Sequence, residues 1–453
     1  MKIFKYPSKE AEARLLSIIN RVLSYNRKDH LSVSRILEDV RKNGDRALID
    51  YIRKFDSPSM GTDSLKVTRE EVDSASKKVG KTFTASLKRA AMQIESFHKQ
   101  QTRLSWINNE RSGAFLGQII IPVDAAGIYV PGGKGGKTPL VSSVLMGAIP
   151  ARIAGVRRIV MVTPPTKDGY VNPYLIVAAK MVGVDEIYKA GSAWAIAALA
   201  YGTETIQKVD VIVGPGNIYV TLAKKMVSGT VGIDMTAGPS EILVIADKSA
   251  VPEYAAADLL SQAEHDALAS AILVTDSMET ADAVNAAVKA QIKKLERKDI
   301  AEKSISKYGA IMIVPDILSA IELSNRIAPE HLELQIENPF EYIGKIRNAG
   351  AVFLGNYTPE PVGDYIAGPN HVLPTAGTAR FSSALSVDNF IKKTSLISYS
   401  KDAFFREAKD IICLAETEGL GAHADSVRIR LKEKLNSLFP SNKNKVKRNR
   451  LPG

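Results

Sequence analysis

Four histidines lie in short polar turn segments, each with a carboxylate or an amide close by in the chain. Gln262 and His265 occur in SQAEHDA, Glu330 and His331 in NRIAPEHLEL, Asp364 and His371 in PEPVGDYIAGPNHVLPT, and Glu418 and His423 in ETEGLGAHADSVRIR. An adjacent Glu and His at a loop edge are natural general acid/base partners, because imidazole titrates near neutrality and a carboxylate can activate water; a plain Pro-Glu-His surface turn has the same residues. Gln262 and His265 are spaced to share one face of a predicted helix and can offer an oxygen and a nitrogen to a divalent cation. The same spacing also suits an ordinary helix C-terminus, where an imidazole meets the negative end of the dipole. The 359–375 segment is long, irregular and rich in Pro and Gly, and loops of that kind in compact domains are usually functional. Glu418 and His423 flank Gly419 and Gly421, which also reads as a helix cap. Donors of the His, Asp and Gln type, with no cysteine among them, suit zinc or another borderline divalent ion with an open position. His30 and His98 fall in charge-rich helical stretches and read as structural.

Two glycine-rich segments, VPGGKGGKTP and VGPGNIYV, each follow a predicted strand and precede a predicted helix. Glycine there lets backbone N–H groups approach a phosphate, and the helix N-terminus favours the anion. Neither has the spacing of a dinucleotide fingerprint or a P-loop, so tight-turn architecture and nucleotide contact both remain open. Covalent thiol chemistry would need an activated cysteine. The sole cysteine, Cys413, sits in the apolar run IICLA and reads as core.

The elements that must position these residues alternate regularly. The first 110 residues read as helical, with Ser32 as a cap for a helix through Phe55, Gly44 as its weak point, a Thr68/Glu71 capping box, and a long helix to about Trp106. QIIIPV and AAGIYVP read as buried strands. RRIVMVTPP, EIYKAG, KVDVIVGPG, EILVIAD, SAILVTD, AIMIVPD and AVFLGN then alternate with helical stretches of 10–16 residues, which points to right-handed βαβ units and mostly parallel sheets. The number of units exceeds one comfortable sheet, and MTAGPSE marks a break near 236–240. The fold class is therefore α/β, with two Rossmann-like lobes plus small N-terminal and C-terminal helical segments.

Composition excludes several classes. The chain has 453 residues, 45% apolar and 24% charged, which is ordinary for a globular protein and not for a disordered or collagen-like one. One cysteine excludes a disulfide scaffold. No apolar run reaches the length of a membrane span, and the N-terminus lacks a signal-peptide core, so a cytoplasmic protein with no membrane partner is expected. The net charge of +11 falls to about +6 without Lys443, Lys445, Lys447, Arg448 and Arg450 of the polar tail, which reads as disordered. No aromatic residues interleave with clustered cations, so no nucleic-acid partner is expected.

Taken together, GIYVPGG, VLMGAIPARIAGV, AIAALAYGTETI, VDVIVGPGN, IDMTAGPSEILVIAD, DLLSQAEHDA, APEHLEL, GAVFLGNYTPEPVGDYIAGPNHVLPT and the C-terminal EGLGAHADSV resemble the histidinol dehydrogenase family, in its order, over roughly residues 20–435. The resemblance implies NAD-dependent oxidation of L-histidinol to L-histidine in two steps through an enzyme-bound aldehyde, with one zinc per subunit. It implies Gln262, His265, Asp364 and His423 as zinc ligands and Glu330 and His331 as the catalytic acid/base pair. The residues around substrate would be Ser240, Gln262, His265, His331, Asp364, His371, Glu418 and His423. Tyr129 and Asn217 match cofactor contacts. It also implies a homodimer in which Glu418 and His423 serve the partner's site. The implied division is an N-terminal segment over 1–25, a lobe from 26–128 and 241–385 carrying zinc and catalytic residues, a cofactor lobe over 129–240, a C-terminal segment over 386–440 and a disordered tail over 441–453. Two departures concern the cofactor side. Trp194 stands where the family carries a glutamine, which exchanges a donor-acceptor amide for an indole. The GGKGGKTPL loop is about two residues longer than usual and adds Lys134 and Lys137. A relative oxidising another amino alcohol or polyol on the same scaffold is the rival reading.

Overall fold

The computed structural model describes residues 1–22, 27–133 and 138–438. Lys134, Lys137 and the basic tail lie outside the described residues. The chain divides into two compact units: Met1–Thr102 with Pro122–Ile391, and Arg103–Ile121 with the stretch from Lys392 onward. The described strands, in chain order, are β1 (Ile3–Lys5), β2 (Trp106–Asn108), β3 (Ala114–Pro122), β4 (Ala125–Tyr129), β5 (Arg158–Thr163), β6 (Glu186–Lys189), β7 (Val211–Val213), β8 (Gly232–Ile233), β9 (Glu241–Ala246), β10 (Ser270–Thr275), β11 (Gly309–Ile313), β12 (His331–Gln335), β13 (Ala351–Leu354) and β14 (Ile391–Tyr399).

The larger unit holds two parallel sheets, ordered β6-β5-β4-β7-β8 and β1-β11-β10-β9-β12-β13. Their central strands are continuous apolar runs because helices cover both faces. The period of two sorts each strand's side chains. Val160 and Val162 pack with the helices Arg27–Phe55, Ser192–Tyr201 and Ile218–Val227, whereas Ile159 and Met161 pack with Lys81–Lys99 and Val141–Ala154. In the six-stranded sheet, Leu243 and Ile245 face the helices Lys9–Ile19 and Ile317–Ile327, while Ile242 and Val244 face Pro252–Ala263 and its neighbours.

Several expectations shift. The first long helix begins at Arg27, so Ser32 is inside it and caps nothing; Gly44 breaks its geometry at φ 52°, where Asp45 N–H donates to Glu204. The Thr68/Glu71 capping box is present. The following helix stops at Lys99, and Trp106 lies in β2. β1, expected to be helical, pairs with β11. The helices between residues 27 and 99, expected to join 241–385, pack on the five-stranded sheet: Val33, Ile36, Leu37 and Val40 find their apolar partners in Trp194, Ala197 and Leu199.

The smaller unit contains the sheet β14-β3-β2 and the helices Lys401–Thr417 and Gly421–Leu438. Ser400 N–H donates to Gly113 O at 2.7 Å, and Arg111 pairs with Glu407. QIIIPV falls in β3 rather than in a parallel core, and Ile119 and Ile121 are exposed. Cys413 is also exposed, a correction to its reading as core. Its helix buries only Ala403, Ala408 and Ala415, because a unit this thin covers one side of it.

The glycine segment after β7 is pinned from beneath. Gly214 adopts φ 111°, and a Cβ there would lie 2.2 Å from Tyr129 O, so only glycine fits. Its N–H donates to Asp234 and its C=O accepts from Lys224 Nζ, each at 2.8 Å, and Lys224 and Asp234 form a buried ion pair. Lys224→Met strands the buried Asp234 carboxylate and should cost about 3–5 kcal/mol of stability, read as a lowered denaturation midpoint; an unchanged midpoint would show the pair is dispensable.

Candidate active site

The predicted acid/base residues meet at the start of β12. Ile327 ends a helix, Ala328 reverses the chain in the left-handed region, and Pro329 prevents the helix from resuming. β12 lies beside β9, with His331 in register with Ile242. Both residues are then held by the peptide of Glu241. Its N–H donates to Glu330 Oε2 at 2.9 Å, and its C=O lies 3.0 Å from His331 Nδ1. A carbonyl accepts only, so Nδ1 carries the proton and Nε2 presents its lone pair. Glu330 Oε2 is 3.7 Å from Nδ1.

His331 Nε2 points at a carboxylate cluster. Glu360 Oε1 is 3.9 Å away, and donor atoms of His331, Glu360 and Asp364 all fall within 4.8 Å of one another, a group able to hold a metal ion. Gln262, buried in the last turn of Pro252–Ala263, lies with its amide between His331 Nδ1 and Glu360; the orientation that satisfies both neighbours has its oxygen accepting from Nδ1 and its NH2 donating to both Glu360 oxygens, each at 3.2 Å. Beneath them Glu333 Oε1 accepts the Glu360 N–H at 2.9 Å, and Gln335 Nε2 donates to Glu333 and Asp258 at 3.0 and 2.7 Å.

This crowding of buried acids shapes their protonation. Burial pushes Glu330 well above the usual carboxylate range, and the charges of Glu241, Glu360 and Asp364 add to the rise against the opposing Glu241 N–H. Glu333 is raised by burial and by Asp258. His331 is lowered by burial, which favours a neutral imidazole able to accept a proton. His371 is pushed down to about 4 by burial, and its Nε2 is buried without a hydrogen-bond partner among the described residues.

The remaining predicted residues divide by location. A cavity of about 540 Å³ is lined by Asn217, Ser240 and His265, together with Arg21 and the turn 215–218. Its walls come from opposite ends of two sheets: the carboxyl end of β7 and the amino end of β9. β4 and β7 flank the point where the strand order of their sheet reverses, where open α/β sheets bind ligands. Tyr129 ends β4, and its hydroxyl accepts the Ser192 N–H at 3.1 Å. Asn217 Oδ1 caps the next helix through Tyr219 and Val220, so a ligand would meet its NH2. Trp194 is buried, stacked with Tyr51 and Phe55, and its indole lies against the Asp56 carboxyl, which burial raises to about 6. Glu418 and His423 belong to the smaller unit and are exposed there at the junction of its two helices.

Sequence reasoning missed Glu360, Glu333, Asp258, Gln335 and Glu241. Parity held a signal for two of them: His331, Glu333 and Gln335 alternate along one face of β12. Asp258 precedes Gln262 by one helical turn. Glu360 precedes Asp364 by four residues, and the supposed loop is helical there.

The histidinol dehydrogenase family model matches residues 21–431. A histidinol dehydrogenase of Desulfotalea psychrophila is 54% identical over 425 residues, 94% of this chain and 98% of the relative. One of Carboxydothermus hydrogenoformans is 55% identical over 399 residues, 88% of this chain and 93% of the relative. The crystal structure of histidinol dehydrogenase from Elizabethkingia anophelis superimposes with a TM-score of 0.90 at 40% identity, covering 96% of this chain and 99% of that one.

Asp364 yields a prediction. Burial, then the neighbouring Glu360, pushes its carboxyl up to about 8, whereas an unfolded Asp titrates near ~4. Between those values the folded metal-free chain keeps a proton that the unfolded chain has lost, so its stability falls as pH rises. The thermal midpoint of chelator-treated protein should therefore drop from about pH 5 to about pH 8, and Asp364→Asn should flatten the slope. An equal slope in the variant would assign the dependence to other groups.

Proposed function

The chain belongs to the histidinol dehydrogenase family, and on that premise we propose that it oxidises L-histidinol to L-histidine with NAD in two steps, using zinc to place the substrate. Membership makes it an oxidoreductase of histidine biosynthesis. The observation that supports the finer reading best is the joint anchoring of Glu330 and His331 on Glu241, beside a cluster of metal-type donors.

The donor set fits a borderline divalent ion. Asp364 lies in the cluster, Gln262 touches it, and His265 lines the adjoining cavity. These three, with His423 of a neighbouring subunit, are the proposed ligands, and Glu360 is an added candidate from the geometry. Zinc, when bound, supplies a Lewis-acidic anchor for the substrate's imidazole and amine. NAD, when bound, takes up the hydride; Tyr129, Asn217 and the Trp194 environment form its proposed seat. The chain's own groups handle the protons. His331, neutral through burial, takes the alcohol proton at Nε2 as the carbinol carbon is oxidised. The aldehyde then adds water, from which Glu330 removes a proton, and a second NAD would be needed to accept the hydride as the hydrate is oxidised and leaves as the carboxylate. Once ionised, a carboxylate whose proton affinity is raised by burial is a stronger base than an exposed one, which suits that step. Ser240, His371 and Glu418 complete the proposed substrate surroundings.

We place the division of labour as two α/β lobes, one for cofactor and one for catalysis, with a C-terminal segment that serves a partner subunit. The smaller unit leaves Leu104, Trp106, Ile107, Ile397, Leu414 and Ile429 exposed, apolar surface of the kind a second subunit covers. Among the described residues no helix is long and apolar enough to cross a membrane.

The decisive assay is NADH formation from L-histidinol before chelation, after chelation and after zinc is returned. Loss and recovery of turnover are expected; oxidation of another amino alcohol, with none of histidinol, would identify a diverged relative. Mixing His331→Ala with His423→Ala protein should restore activity that neither has alone, through heterodimers carrying one intact site. No recovery in a verified mixed dimer would argue against a shared site.

A further inference from the structure

We propose that Arg21 is a positioning residue for the reaction, holding the Glu330/His331 pair in place through Glu241; the inference rests on the reading of that pair given above. The Arg21 side chain is 1% exposed. Its guanidinium spreads over three segments. Nη2 donates to Glu241 Oε1, Nε to Leu268 O and Nη1 to Ile18 O, each at 2.8 Å, and the group lies 5.8 Å from the centre of the Tyr308 ring.

Each of those partners leads toward the site. Ile18 ties the arginine to the end of the first helix. Leu268 closes the turn that carries His265. Glu241 follows Ser240, and its own N–H and C=O are the groups that hold Glu330 and His331. No residue intervenes between the ion pair and the acid/base pair: a displaced Glu241 displaces both. Only a planar guanidinium reaches three acceptors in different directions, whereas an ammonium is a single point charge on a flexible stem. Arg21 also lines the cavity shared with Asn217, Ser240 and His265, so the strut stands in the wall of the cleft it braces.

A purely structural ion pair would change stability and leave the kinetic constants in proportion. A positioning residue lowers turnover and leaves cofactor binding alone. In the full-length enzyme, Arg21→Met should reduce kcat for L-histidinol oxidation by roughly 10–100-fold with the KM for NAD within about twofold, because misplacement near 1 Å costs about that much. Arg21→Lys should regain part of the loss. A folded Arg21→Met with normal kcat overturns the proposal, as does a rise in both KM values with kcat kept, which marks a loosened cleft. Should Arg21→Met fail to fold, Arg21→Gln decides, since it keeps a polar side chain in the buried site and leaves Glu241 and its charge in place: lowered kcat supports the strut and unchanged kcat overturns it. The unmodified enzyme run in parallel separates two failures. No NADH from it refutes the two-step histidinol chemistry, whereas a normal parent beside an unaffected variant refutes only the strut.

Discussion

The backbone of Glu241 bears on nearly everything around the buried Glu330 and His331. One backbone N–H and one backbone C=O hold a carboxylate and an imidazole that otherwise have little reason to sit together in a buried place. The carbonyl also fixes the imidazole tautomer, which leaves Nε2 as the basic atom. Backbone groups suit this task because the strand ladder prevents them from rotating away. The parallel pairing of β9 with β12 brings residues 241 and 331 side by side, so the sheet itself serves as the jig.

The cleft has an unusual parentage for an α/β protein. Toward the five-stranded sheet it follows the common rule, lying at the carboxyl end of β7 beside the point where strand order reverses. Toward the six-stranded sheet the candidate site uses the amino ends of β9 and β12, with the end of the helix Pro252–Ala263 folding back over them. That helix brings its C-terminus, and with it Gln262, to the amino edge of the strands. The buried acids gathered there have their proton affinities raised mainly by loss of water, and a cation among them reverses that penalty.

Much of the plan was legible in the sequence, for reasons that can be named. Buried parallel strands are unbroken apolar runs, so β5, β9, β10 and β11 stand out, and the capping box at Thr68 announces its helix. The segments bearing Gln262, Glu330, His331 and Asp364 were visible as polar chemistry at element ends, and the structure brings those four together. What escaped was whatever depends on partners distant in the chain. β1 is three residues long and is a strand only because β11 pairs with it. Cys413 lies in an apolar run that looks like core, yet nothing in a sequence says how thin its unit is. That the helices from 27 to 99 pack on the five-stranded sheet was hidden because an apolar stripe does not name its partner. Glu360 hid in a Pro- and Gly-rich stretch whose helical turn only tertiary packing stabilises.

The alternation along β12 places His331, Glu333 and Gln335 toward the helix Pro252–Ala263, and Leu332 and Leu334 toward the opposite core. A slip of one residue in this strand's pairing with β9 would exchange the two sets, burying leucines in the cleft and acids in the hydrophobic layer. A residue gained or lost within β12 is thus closed to descendants of this gene. The lineage can alter this strand only by substitution.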